Sequence, residues 1–235
     1  MGRVMGYAAA FCVLLLIICQ SIIIPTFSVS FFRWHYNRAG TAAEIGISDE
    51  DLMHVTRELL AYMRGQRDSL NGVTAEVRGH TLHGSRSYGQ NFFTRREISH
   101  MYDVRRLYDT LFMVRNIAIF SLFALVFAMV YFRHNALELL SRCLQKVLAG
   151  FFILMIAAGG MMAIDFRQAW NVFHYIFFFG DADQTWRLTQ FTDLMINMFP
   201  LSFFLNISIF VGALITIFSA IIVALSTLYL RSVRK

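Results

Sequence analysis

Charge is scarce in this chain, and it is confined to a few places. Only 15% of the residues are Asp, Glu, Lys or Arg, 57% are hydrophobic, and mean hydropathy is +0.54. That composition excludes a soluble domain of this size and marks an integral membrane protein. Lysine occurs only at Lys146 and Lys235, so the formal net charge of +6 comes almost wholly from arginine. In a membrane protein such a balance points to anionic lipid headgroups and topology signals. Aromatic base-stacking motifs on a soluble basic face are missing, which sets nucleic acid aside as a partner. The three cysteines cannot form a disulfide scaffold. Cys12 and Cys19 lie inside the first apolar run, and Cys143 lies in a short stretch expected on the cytoplasmic side. None is flanked as a reactive thiolate would be. No internal repeat or low-complexity stretch is present.

What is there is a set of long apolar runs. Tyr7 to Ile24 has the length that spans a hydrocarbon core. Arg3 would suit a signal peptide, but the run is long and ends in Ile-Ile-Ile-Pro25 without a small-x-small cleavage site, so an uncleaved anchor is expected. The segments read as follows: a first span over 1–25, a polar region over 26–115, a second span over 116–132 and a short loop over 133–146. A third span over 147–164, an aromatic-rich loop over 165–200, a fourth span over 201–230 and a tail over 231–235 complete the chain. Gly159-Gly160 would allow a close helix contact in the third span. Pro200 suits the first turn of the fourth, which exceeds one membrane thickness and must tilt or begin above the bilayer. Arg3, Arg133, Arg142, Lys146, Arg231, Arg234 and Lys235 fall on one side. On the other, Arg167 and Arg187 are outweighed by Asp165, Asp181, Asp183 and Asp193. Both termini are therefore expected in the cytoplasm, with 26–115 and 165–200 outside.

The expected fold class is an all-α membrane protein with four transmembrane helices and a small extracellular cap of helices plus possible short strands. Ser48-Asp-Glu-Asp51 caps a helix whose apolar positions Leu52, Val55, Leu59 and Met63 follow helical spacing, and Gly65 ends it. Thr74 to Leu82 alternates loosely, as a short hairpin arm would. His83 to Gln90 reads as a loop. So small a region cannot bury a large core alone, so the cap is expected to rest on the membrane surface.

Two stretches carry chemistry. In Asn91-Phe-Phe-Thr-Arg-Arg-Glu-Ile-Ser-His-Met-Tyr-Asp-Val-Arg-Arg-Leu-Tyr108, Thr94 and Glu97 form a capping box that starts a helix. Glu97, His100 and Asp103 then share a face, and flanking carboxylates fix an imidazole's tautomer and raise its basicity. In Trp170-Asn-Val-Phe-His174-Tyr-Ile-Phe-Phe-Phe, the aromatic density exceeds what an aqueous loop tolerates and implies an apolar pocket around one histidine. Both histidines fall on the same side of the membrane, which suits a paired acid and base. Each could instead be a satisfied structural histidine. A metal site from Glu97, His100, Asp103 and His174 is a rival, but no H-E-x-x-H, C-x-x-C or third well-placed histidine supports it. G-x-S-x-G is absent as well. His35, His54, His80, His83 and His134 lack a carboxylate-helix setting and read as solvated or structural. Arg95, Arg96, Arg105 and Arg106 dress the helix or meet lipid phosphates.

The strings N-F-F-T-R-R-E-I-S-H-M-Y-D-V-R-R-L-Y, W-N-V-F-H-Y-I-F-F-F with a following W-R-L, and D-L-M-I-N-M-F-P-L-S-F-F resemble the bacterial lipoprotein intramolecular transacylase family. The resemblance extends to I-S-D-E-D-L and Y-M-R-G-Q-R-D-S-L. It implies four transmembrane helices, an extracellular cap, and two catalytic histidines at the cap–membrane junction, which fall on His100 and His174. It also implies an O-to-N acyl shift within one diacylated lipoprotein. The sn-2 acyl chain of the diacylglyceryl-cysteine would move to the free α-amine, with no cofactor, metal, nucleotide or external donor. On the carboxylate spacing, His100 is the better candidate for general base. His174 would protonate the glyceryl oxygen or steady the oxyanion. Glu97, Asp103, Arg96, Trp170, Phe173 and Trp186 are candidates to support the histidines or position the substrate among membrane lipids. A metal-dependent membrane lipid hydrolase and a non-enzymatic accessory or sensor protein remain the alternatives from other classes.

The charge distribution gives a direct test of topology. A thiol introduced as Gln184→Cys should react with an impermeant maleimide in intact cells, and one introduced as Ser232→Cys only after the membrane is opened. The opposite labelling would invert the orientation.

Overall fold

The computed structural model describes residues 2–76, 91–132, 135–178, 186–189 and 193–234. Helices α1 (Gly2–Thr26), α2 (Val29–Ala39), α3 (Thr41–Ile45), α4 (Asp49–Met63), α5 (Arg95–Tyr131), α6 (Ala136–Ile164), α7 (Phe166–Phe177), α8 (Met195–Met198) and α9 (Leu201–Val233) follow in order, with no strand among the described residues. Four of them, α1, α5, α6 and α9, are long and apolar enough to cross a membrane. The expected hairpin arm at Thr74–Leu82 gains no support: Thr74 to Glu76 is irregular, and residues 77–90, which include the loop after it, lie outside the described residues. The chain divides into two compact units, one of 1–26, 110–169 and 207–235, the other of 27–109 and 170–206.

In the first unit α1 is the inner helix. Leu14 and Ile17 pack with Leu148 of α6 and Ile215 of α9. Ala9 meets Met129 and Ala136, and Ala10 meets Cys143 and Leu144. The close approach falls at Gly6, where an added Cβ would lie 2.8 Å from Leu139 Cγ and 3.0 Å from Cys143 Sγ. The glycine pair expected to make such a contact does not: a Cβ at Gly159 or Gly160 would meet nothing within 4 Å. Phe120, Phe123, Phe127, Ile153, Ile156, Ile221 and Leu225 point outward, an apolar shell that water would not tolerate and lipid does. Hydroxyls in this setting bond back along their own helices, Thr216 Oγ1 to the Gly212 carbonyl at 2.8 Å and Thr227 Oγ1 to that of Val223 at 2.8 Å. Gln145 donates across to Thr227 Oγ1 at 3.0 Å. The stretch expected as a loop at 133–146 is largely helical, because Glu138 and Arg142 pair one turn apart and α6 starts at Ala136. Cys143 is therefore a buried helical residue and, like Cys12 and Cys19, free.

In the second unit each local signal acts as its chemistry requires. Ser48 accepts from the Asp51 amide at 3.0 Å and starts α4, which buries Leu52, Val55, Leu59 and Met63. Gly65 follows the helix at φ +73°, a left-handed conformation that favours glycine. The Tyr36 hydroxyl and Thr56 Oγ1 are 3.1 Å apart, and Thr56 donates to the Leu52 carbonyl at 2.8 Å, so Tyr36 is the donor between them. Phe31, Phe32, Phe199 and Phe203 form an edge-to-face core joining α2 to the start of α9. His35 is buried there with its Nδ1 3.3 Å from Asn206 Nδ2, while His54 is exposed; His80, His83 and His134 lie outside the described residues. The 165–200 stretch is not a plain loop. Asp165 accepts from the Gln168 amide at 3.0 Å and caps α7, which carries the aromatic run on a helix.

The glycine comparison is testable. Gly6→Val should cost about 1–3 kcal/mol by overpacking against Leu139 and Cys143, lowering the thermal midpoint in detergent. Gly160→Val should leave the midpoint unchanged.

Candidate active site

The second unit's chemistry starts at the N-terminus of α5. The Glu97 amide donates to Thr94 Oγ1 at 3.2 Å, and the Thr94 amide donates to Glu97 Oε2 at 2.6 Å, so the capping box is complete. Glu97 is fully buried, and its Oε1 accepts from the Met195 amide at 2.7 Å. Both carboxylate oxygens thus hold main-chain amides. Thr94 Oγ1 also donates to Asp193 Oδ1 at 3.2 Å, and Asp193 Oδ2 accepts from the Thr189 amide at 2.9 Å. From sequence alone Asp193 is only a loop charge. Its signal was the D-L-M-I-N-M string, which carries no spacing rule of its own.

One turn past Glu97, α5 carries His100, half-buried and with its Nδ1 closed off from solvent. His174 on α7 is 7% exposed. The two imidazoles stack with centroids 6.2 Å apart and planes at 27°. Around His174 lie Trp186 stacked at 5.0 Å, Trp170 edge-on at 4.8 Å and Phe173 edge-on at 5.5 Å. Phe178 touches both rings, at 5.3 Å from His100 and 5.5 Å from His174. It was legible in principle, lying four residues after His174 where helix geometry returns to the same face. Phe204 stacks on Trp170 at 4.1 Å and closes the layer behind it.

The tautomer of His174 follows from its partner. Nδ1 is 2.9 Å from the Trp170 carbonyl, which only accepts, so Nδ1 carries the proton and Nε2 presents a lone pair. Burial pushes the His174 pKa below the ordinary imidazole value, and the Trp170 carbonyl offsets only part of that. The ring is therefore neutral at pH 7.

Of the residues proposed from sequence, His100, His174, Trp170, Phe173 and Trp186 come together in this one cluster. Glu97 sits beneath it as the anchor of the helix. Arg96, exposed, and Asp103, half-buried, lie on α5 four residues before and three after His100. The Gly180–Thr185 segment lies outside the described residues. No group of three or more His, Cys, Asp or Glu with metal-holding geometry occurs among the described residues.

A multi-pass helical membrane protein with a paired-imidazole site walled by aromatic rings is the class these features define. The chain belongs to the lipoprotein intramolecular transacylase (Lit) family, whose sequence model matches residues 7–204. Its fold is similar to that of the membrane integral lipoprotein intramolecular transacylase Lit from Bacillus cereus, with TM-score 0.77 at 15% identity, covering 100% of this chain and 98% of that one. A form of the Bacillus cereus protein with a histidine-to-arginine substitution gives TM-score 0.72 at 14% identity, covering 100% and 94%. A histidine-to-alanine form gives 0.72 at 14%, covering 100% and 96%. Comparison with curated proteins returned no significant match.

Neutral burial of His174 makes stability pH-dependent with a definite sign. Its folded pKa lies below the unfolded value of about 6.5, so on acidification the unfolded chain takes up a proton the folded chain refuses. The stability is fully present above that value and is lost as pH falls below it. Thermal midpoints in detergent should therefore drop between pH 7.5 and pH 5, and His174→Gln should shrink the drop.

Proposed function

We propose that this chain is a lipoprotein intramolecular transacylase that moves the sn-2 acyl chain of a diacylglyceryl-cysteine to its own α-amine, with His174 as general base and His100 as general acid. Family membership supports the reaction. The observation that carries the histidine roles is the Nδ1 contact of His174 with the Trp170 carbonyl inside an aromatic wall, with His100 stacked at 6.2 Å.

The substrate nitrogen, Cα, Cβ, sulfur, two glyceryl carbons, ester oxygen and acyl carbon close a ring of about eight members in the transition state, a conformation that an enzyme must hold together. The N–C bond forms as the amine attacks the acyl carbon, and its N–H becomes acidic in the same step. A weakly basic imidazole is then sufficient, and the Nε2 lone pair of His174 takes the proton. The C–O bond to the glyceryl carbon's oxygen breaks, and that oxygen receives a proton from His100. One proton leaves nitrogen and one joins oxygen, so the reaction is an isomerisation. Proton return between the paired rings resets the site. This division of roles is the reverse of the one suggested by carboxylate spacing. The reason is local: the Trp170 carbonyl holds the Nδ1 proton of His174 and leaves a lone pair on Nε2 inside the aromatic wall. Trp170, Phe173, Phe178 and Trp186 keep the reacting atoms dry, which strengthens each proton contact.

The charge bias supports an active site at the extracellular face, where lipidated substrates present their amines, with both termini in the cytoplasm. The substrate's acyl chains stay among membrane lipids throughout.

The test is fragmentation mass spectrometry of a lipoprotein N-terminal peptide, since the intact mass does not change. With the wild-type protein the fragments should show an acyl chain on the cysteine nitrogen and a monoacylglyceryl thioether. His100→Ala and His174→Ala should each reduce that product about 10²–10⁴-fold while membrane levels of protein persist. Full activity in either variant would contradict the scheme.

A further inference from the structure

We propose that Asp193 is a positioning residue that seats Trp186 on His174 by tying its segment to the N-terminus of the helix that carries His100. The inference rests on the proposed acid–base roles, yet its mechanical core can be tested without them.

Asp193 is 2% exposed, an expensive place for a carboxylate unless its oxygens are used. They are. Oδ2 takes the Thr189 amide at 2.9 Å, and the Asp193 amide returns to the Thr189 carbonyl at 3.0 Å, so the two residues are bonded in both directions. The Leu188 amide donates to the Trp186 carbonyl at 3.0 Å, making the link from Trp186 to Thr189 a tight turn. On the far side Oδ1 takes the Thr94 hydroxyl at 3.2 Å, and Thr94 caps α5 two turns before His100. Asn197 Nδ2 donates to the Asp193 carbonyl at 3.3 Å and steadies the residue itself. One side chain thus connects the segment that covers His174 with the helix end that carries its partner. An apolar residue of similar size would fill the space but could not join the two.

The groups that face His174 set what can be read. Among the described residues these are His100 on α5 and Arg187, whose guanidinium lies 5.0 Å from the Trp186 ring centroid and donates to the Tyr175 hydroxyl at 3.0 Å. Trp170, Phe173 and Phe178 bring no charge. Removing Asp193 takes away a negative charge, which by itself would lower the His174 titration, so an upward move reports water reaching the ring.

The experiment follows the His174 imidazole by NMR in detergent with isotope-labelled histidine, assigned by its loss in His174→Gln. In Asp193→Ala the His174 titration should move up toward the ordinary imidazole value, with kcat about ten- to a hundredfold lower and KM nearly unchanged. Asp193→Asn can still bond both partners once the Thr94 hydroxyl turns to accept, and it should restore most of both. In a Trp186→Leu background, adding Asp193→Ala should give little further shift, because the two changes act on one interaction. Should Asp193→Ala fail to fold, Thr94→Val against Thr94→Ser removes the same bond from its other end. A wild-type His174 titration in the folded Asp193→Ala or Thr94→Val protein overturns the proposal. Activity surviving in His174→Ala would instead overturn the base assignment and leave the titration result standing.

Discussion

A carboxylate without access to water governs the geometry of this protein's chemical end. Glu97 accepts the amide of Thr94 three residues before it and that of Met195 ninety-eight residues after it. The first bond satisfies a helix start, and the second pins a distant segment to it. Losing the side chain would strand the buried Met195 amide, at about 1–3 kcal/mol, and leave the half-buried Thr94 amide without its cap. His100 sits one turn further along that helix, so its position inherits the precision of this joint. The imidazole pair is thus built on an element terminus, where orphan amides must find partners in any case.

Desolvation does the second part of the work, and it acts in a chosen direction. A buried imidazole prefers to be neutral, and a carbonyl at Nδ1 decides which nitrogen keeps the lone pair. The aromatic rings around His174 surround it on several sides. They exclude water, fix the ring plane and leave that nitrogen for a reacting proton. A charged partner would have made a stronger base and also a ring protonated at rest.

Much of this was legible in the sequence, and the reasons differ by element. The capping box at Thr94 and Glu97 and the cap at Ser48 depend only on neighbouring residues, so their spacing predicts them. The apolar spans are set by membrane thickness and are equally local. Gly159-Gly160 failed for the opposite reason: whether a glycine meets a neighbour depends on which face the packing uses, and α1 presents Gly6 to α6 instead. The histidine pair is legible through family motifs and residue type; that the two rings meet is a tertiary fact. Glu97 lies at the right spacing from His100, and its oxygens also hold main-chain amides, one of them far away in sequence. The aromatic run reads as a loop in sequence and is a helix in the fold, because a helix with bulky aromatic residues on several faces has no clean polar side. Asp193 was invisible as anything but a charge, since all that gives it meaning is tertiary.

A base at His174 requires a resting neutral imidazole with its lone pair on Nε2. Nitrogen-15 chemical shifts of the ring in the resting protein at pH 7 measure this directly. The expected result is an Nδ1-protonated neutral tautomer at His174. An imidazolium, or a neutral ring protonated at Nε2, would contradict it and return the role of base to His100.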